Sequence, residues 1–223
     1  MKTEKNISHM HVLDAVEKSK DCPLCDLSNA SVQKHFTDML YESVNDRGLR
    51  KKLKEQKGFC AFHGELLLEH GDALGIAILH ADQIQSLLDC LDNLGSVFSK
   101  IKRTDHSGWT DHSGCMICEV RKGAEKRHME NFIELMDDEA MRNYLEKFPG
   151  FCARHLFKVL EKLDKPDHVK YLLKLHKEKY KSLLADLKEF CRKNDYRFRD
   201  EASGRESDSW QKAVHVVSGK ISS

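Results

Sequence analysis

Apolar residues recur every three to four positions through most of this 223-residue chain. Over residues 26–44, Leu27, Val32, Phe36, Met39, Leu40 and Val44 trace one stripe, the signature of an amphipathic helix. A short helix is predicted over 49–55, and another opens near Cys60 and carries Leu66, Leu67 and Leu68. Over 73–94 the positions Leu74, Ile78, Ala81, Ile84, Leu87, Leu88 and Leu91 keep the same rhythm and predict a long helix. Phe132, Leu135 and Met136 follow, then Leu156, Val159, Leu160 and Leu163, then a helix over 166–191 with Pro166 suited to its first turn. Trp210, Ala213, Val214 and Val217 predict a short terminal helix that docks on the body by its apolar face. Alternating runs of Val, Ile, Thr and aromatic residues are almost absent, so the expected fold class is all-α.

The second half of this pattern repeats the first. Cys115-Met116-Ile117-Cys118 follows Cys22-Pro23-Leu24-Cys25 by 93 positions, and Gly150-Phe151-Cys152-Ala153-Arg154-His155 follows Gly58-Phe59-Cys60-Ala61-Phe62-His63 by 92. Leu49 and Leu53 lie over Met141 and Leu145, and His80 with Ser86-Leu87-Leu88 lies over His176 with Ser182-Leu183-Leu184. Four landmarks in one order point to an internal duplication. The chain then reads as two tandem helical repeats, 10–98 and 109–194, related by pseudo-twofold symmetry. Residues 99–114 form a polar linker, and 195–223 form a polar connector ending in the short helix.

Composition narrows the classes of function. The 37 basic and 36 acidic residues nearly cancel, which argues against a general polyanion binder. Arg47 to Lys57 and Arg121 to Arg127 are locally basic, but glutamates interleave and stacking aromatics are few, so nucleic-acid binding is a minor alternative. No window approaches 18 consecutive apolar residues and no signal segment is recognisable; the expectation is a cytoplasmic protein without a membrane span. In that compartment thiols stay reduced, and patterned cysteines point to metal or catalysis rather than disulfides.

Two CxxC…CxxH sets carry the candidate chemistry. Cysteine thiolate and histidine imidazole are the donors that tetrahedral zinc takes. Grouped within each repeat, the ligands are Cys22, Cys25, Cys60 and His63, and then Cys115, Cys118, Cys152 and His155. The pairs stand about 35 residues apart, which leaves room for a helical hairpin that each ion would clamp. Two zinc ions per chain are expected; an iron–sulfur cluster on the same donors stays open as the alternative. A thioredoxin-like thiol exchange would want a βαβ unit, which the pattern lacks. His106 and His112 in the linker read as solvated, and Cys90 and Cys191 as small core residues. His80 and His176 map onto each other, either as satisfied core histidines or as outer partners of a site.

At the CPLC and GFCxxH motifs and the terminal Asp208-Ser209-Trp210-Gln211-Lys212-Ala213 segment, the chain resembles a family of prokaryotic proteins of unknown function. The resemblance implies metal binding by the eight matched residues and supplies no activity. Cys115-Met116-Ile117-Cys118 departs from the CPxC form by lacking the proline and keeps both thiols. Four filled coordination positions are the mark of structural zinc. No GxSxG, phosphate loop, HExxH or dinucleotide fingerprint is present, so no catalytic residue is assigned and the chain reads as leaning away from an enzyme. The expected role is a metal-binding helical module for an unidentified protein or small-molecule partner.

Overall fold

The structure is a computed structural model that describes residues 6–95, 109, 114–198 and 201–221. The helices are α1 (Ile7–Lys18), α2 (Pro23–Glu42), α3 (Arg47–Glu55), α4 (Ala61–Leu68) and α5 (Ala73–Gly95), then α6 (Met116–Glu134), α7 (Glu139–Lys147), α8 (Ala153–Lys162), α9 (Pro166–Lys193) and α10 (Ser209–Ser218). Among the described residues there is no strand, and no helix is long and apolar enough to cross a membrane. The all-helical expectation holds. His106, His112 and most of the expected linker lie outside the described residues.

Local chemistry explains the helix starts. Asn6 and His9 form a reciprocal capping box at α1. Asp46 accepts from the Leu49 N–H at α3, and Asp138 accepts from the Ala140 and Met141 N–H groups at α7. Pro166 opens α9 where its missing N–H costs nothing.

The chain forms two compact units, Met1–Asn29 with Ala124–Ser222, and Ala30–Gly123. These differ from the bounds 10–98 and 109–194 expected from the sequence. The boundaries fall inside α2 and α6, so each unit takes its CxxC pair from one half of the chain and its GFCxxH motif from the other.

The first unit centres on aromatic rings. Phe132, Phe148 and Phe151 pack edge to face at centroid distances of 4.8 and 5.2 Å around Phe151, and His176 stacks on Phe151 at 5.5 Å. Val12 and Val16 of α1 and Leu145 of α7 close this core. In the second unit Phe36 meets Phe59 at 6.1 Å, with Met39, Leu53, Leu67, Leu79 and Ile117 around them. A two-pronged ion pair from Arg50 Nε and Nη2 to Asp82, at 2.5 and 2.7 Å, ties α3 to α5.

Three expectations need correction. The stripe expected to bury α5 faces solvent at Leu74, Ala81, Ile84, Leu88 and Leu91, and the buried positions are Gly75, Leu79, Gln83 and Ser86. The terminal helix α10 contacts α8 and α9, but of the four residues expected to dock it only Ala213 is half-buried; Trp210, Val214 and Val217 are exposed, and Ser209 is the buried residue. Periodicity reports that a helix has an apolar face, not which neighbour that face meets. Cys191 is exposed and Cys90 half-buried, so neither is a core thiol.

Candidate metal centres

The structure brings all eight predicted side chains into two clusters, but crosses the pairs. One cluster is Cys22, Cys25, Cys152 and His155; the other is Cys60, His63, Cys115 and Cys118. The grouping within repeats is therefore corrected, and helix length supplies the reason. Phe59, the residue before Cys60, packs against Phe36, eleven residues beyond Cys25 on α2. Eleven residues of helix rise about 16 Å, which no single ion bridges. Phe151, before Cys152, packs likewise against Phe132, fourteen residues beyond Cys118 on α6. Each GFCxxH turn sits well along the helix opened by the CxxC that precedes it by about 35 residues, and meets the CxxC of the other half of the chain.

Every donor comes from the first turn of a helix. Cys22 and Cys25 flank the start of α2, and Cys115 and Cys118 the start of α6. Cys60 is the N-cap of α4 and Cys152 that of α8, with φ of −65° and −69° and ψ near 160°, and the histidines follow at the third helical position. These are the two positions that a capping box joins by hydrogen bonds. Gly58 and Gly150 precede them at φ of 92° and 107°, the left-handed region where a side chain is strained. Two helix N-termini thus converge on each cluster, and their exposed N–H groups favour thiolate over thiol.

The spacing fits one tetrahedral ion per cluster. Zinc–sulfur bonds of about 2.3 Å and zinc–nitrogen bonds of about 2.0 Å imply edges of about 3.8 Å between sulfurs and about 3.5 Å between sulfur and nitrogen. In the first cluster, Sγ of Cys25 and Cys152 are 3.7 Å apart, and His155 Nδ1 lies 3.3, 3.4 and 3.3 Å from Cys22, Cys25 and Cys152. In the second, Cys60 and Cys118 are 3.8 Å apart, and His63 Nδ1 lies 3.2, 3.5 and 3.4 Å from Cys60, Cys115 and Cys118. Both histidines turn the same nitrogen inward. The donors of each cluster could hold a metal ion.

Charge crowding makes the same point. Burial, with neighbouring thiols, pushes the Cys22 thiol far up, while Cys152 is held down by hydrogen bonds from Cys22 and Cys25. In the second cluster burial opposes ionisation of Cys115, yet hydrogen bonds from His63 and backbone N–H groups bring it to about 6; burial and its neighbours push Cys118 to about 12. Three adjacent thiolates need a cation to coexist out of water.

The surroundings of the two clusters differ. Outside the first, His155 Nε2 faces Glu125 Oε1 at 3.2 Å, and Lys158 Nζ reaches the same oxygen at 2.5 Å. Glu125 is buried, and the hydrogen bond from His155 with that from Lys158 holds its carboxyl near 2 against the opposing effect of burial. His63 Nε2 is buried with no hydrogen-bond partner among the described residues. The position of α2 matching Glu125, seven residues after the CxxC, is the apolar Val32. No spacing rule flagged Glu125, because its target lies thirty residues on. A carboxylate on the outer nitrogen of a ligating histidine raises its basicity. Glu125→Ala is expected to weaken metal binding at the first cluster by about 10- to 100-fold and leave the second unchanged, as competition with a chromophoric chelator will read.

His176 resolves as a buttress. Its Nδ1–H donates to the Leu172 carbonyl at 2.8 Å, its Nε2 accepts from the Phe151 N–H at 2.9 Å, and Tyr180 donates to the Phe151 carbonyl at 2.9 Å. The peptide before Cys152 is thereby clamped from α9. His80 bonds the Ile76 carbonyl at 2.8 Å and lies 6.0 Å from the Phe59 ring. Neither histidine touches a cluster.

The C-terminal segment covers the first cluster. A side chain on Gly219, at φ 79°, would begin 3.5 Å from Cys25 Sγ and 3.8 Å from Cys152 Sγ. Asn29 Nδ2 donates to the Lys220 carbonyl at 3.1 Å, and Asp21 pairs with Lys220 at 2.9 Å and His215 at 3.1 Å. Beside this cover lies a cleft of about 310 Å³, lined by Cys22, Cys152, Lys20, Lys179, Tyr180 and Lys212 among others.

Part of the first basic stretch is committed to ion pairs. Besides Arg50, Lys52 pairs with Glu119 at 2.9 Å and Lys51 with Glu55 at 3.9 Å. Lys57 lies over the Trp109 ring at 5.5 Å.

The family described as "Family of unknown function (DUF6062)" matches residues 1–223. An uncharacterised 23.9 kDa protein from the xynA 3′ region of Caldicellulosiruptor sp. (strain Rt8B.4) is 30% identical over 204 residues, covering 91% of this chain and 97% of that protein. No solved structure matches.

Proposed function

We propose, for a chain that belongs to this DUF6062 family along its whole length, that it is a structural zinc protein serving as a binding module. The observation that carries the reading is the tetrahedral spacing of three sulfurs and one Nδ1 in each cluster. A Cys3His set fills zinc's coordination and leaves no position for substrate, so the ion stabilises rather than catalyses. Cys22, Cys25, Cys152 and His155 hold one ion; Cys60, His63, Cys115 and Cys118 hold the other. Descent from a duplicated, intertwined ancestor accounts for the matching caps, glycines and buttress histidines. A cytoplasmic setting, where thiols stay reduced, suits eight cysteines that form no disulfide.

The cleft beside the first cluster supports the binding role. Asp21 and Asp186 on its wall are paired with Lys220 and Arg205, while Lys20 and Lys179 also line it. Elemental analysis of purified protein tests the metal assignment. About two zinc per chain in a colourless protein is the expected result; a brown protein with iron and acid-labile sulfide would sink it.

A further inference from the structure

We infer that α5 is a dimerisation helix that pairs antiparallel with α5 of a second copy of this chain. The exposed residues Leu74, Ala77, Ala81, Ile84, Leu88 and Leu91 follow spacings of three and four without a break, a strict heptad seam over nearly three repeats. Leu74 is 73% exposed, Ile84 57%, Leu88 48% and Leu91 54%. The opposite face, turned inward, carries Leu79 with the half-buried Ile76 but is otherwise small or polar: Gly75, Gln83 and Ser86 are buried, and both side-chain amide atoms of Gln83 lack a hydrogen-bond partner among the described residues. The helix therefore withholds its best apolar surface from its own unit. A stripe this narrow, with period 3.5, fits another helix better than a sheet or a broad core.

Self-complementarity names the occupant. Inverted on itself about the midpoint between Asp82 and Gln83, the seam sets Leu74 against Leu91, Ala77 against Leu88 and Ala81 against Ile84, each twice. Every layer then holds at least one large residue, and each alanine receives a leucine or isoleucine. Parallel pairing stacks Ala77 on Ala77 and Ala81 on Ala81, leaving two thin layers. Charge agrees. α5 contains no Lys or Arg, and its exposed Asp89 and Asp92 lie at one end. The inverted arrangement keeps these carboxylates apart, whereas a parallel one crowds them. An isologous twofold contact is also the commonest closed symmetry. The seam is short, which puts the contact among small, reversible interfaces.

Sedimentation equilibrium of the full-length, metal-loaded protein from ~1 to ~100 µM tests this. The expected mass rises with concentration toward twice 25.7 kDa. Ile84→Glu with Leu88→Glu, both at exposed positions, should remain monomeric throughout with unchanged helicity and metal content. Retained metal separates this outcome from any failure of the zinc reading. Trp210→Glu, on the other exposed apolar helix, should still dimerise. Orientation is read by disulfide trapping: Leu74→Cys mixed with Leu91→Cys should cross-link, and Leu74→Cys alone should not, because its two copies stand about 25 Å apart along an antiparallel pair. A monomeric wild-type protein, a dimer that survives the double glutamate variant, one abolished by Trp210→Glu, or a Leu74→Cys homodisulfide would each overturn the proposal.

Discussion

Replacing Cys22 and Cys152 together by serine should leave one metal ion per chain, whereas replacing Cys22 and Cys60 should leave none. The crossed pairing dictates this. Cys22 and Cys152 belong to one cluster, so a second serine there removes nothing further; Cys60 belongs to the other. Each single substitution should cost about one equivalent of two, because a three-donor remnant with an unpaired cation binds far more weakly. Grouping within the repeats inverts the result, with Cys22 and Cys60 sharing an ion and Cys22 and Cys152 drawing on both. Metal content by mass spectrometry, normalised to protein, separates the two schemes without any assay of activity. Loss of both ions from every single variant would instead mean that the units cannot hold metal separately.

Stripping the metal with a strong chelator should lower the melting temperature by about 15 to 30 °C. An ion held at a thousand times its dissociation constant contributes about 4 kcal/mol to its unit. For a unit of about 100 residues each kcal/mol shifts the transition by about 4 to 8 °C. Each unit also has an apolar core, so residual helicity at low temperature should persist, unlike in a small zinc finger. The check is thermal circular dichroism before and after chelation, with restoration by added zinc. An unchanged midpoint in protein shown to be metal-free would mean that the cores suffice and the clusters are not structural.

Most of the helices were legible because their apolar period is local. The stripe on α2 predicted Phe36 and Met39 as core, and both are fully buried in the second unit. The eight donors were legible too, because CxxC and CxxH spacings are set by one helical turn. Their partition was not, since it depends on where along α2 and α6 the GFCxxH turns come to rest, and that is fixed by Phe36–Phe59 and Phe132–Phe151 contacts between distant residues. The orientation of α5 was hidden for a related reason: only Leu79 and the half-buried Ile76 anchor it among the small or polar Gly75, Gln83 and Ser86, and the outward face is the richer in large apolar residues. Glu125 was one carboxylate among thirty-six acidic side chains until the fold brought His155 to it.

The crossed ligand sets also impose an order on biosynthesis. No cluster can be completed by the first half of the chain alone, since each needs residues from beyond position 114. The second cluster becomes complete when Cys118 has emerged, closing a loop of 58 residues; the first must wait for His155, 133 residues after Cys22. Until then Cys22 and Cys25 are free thiols on a nascent helix, open to oxidation or a wrong metal. A protein that folds from its N-terminus onward thus finishes its first cysteine pair last, and the residues around Gly219 can close over those sulfurs only after a further 64 residues beyond His155 have been made.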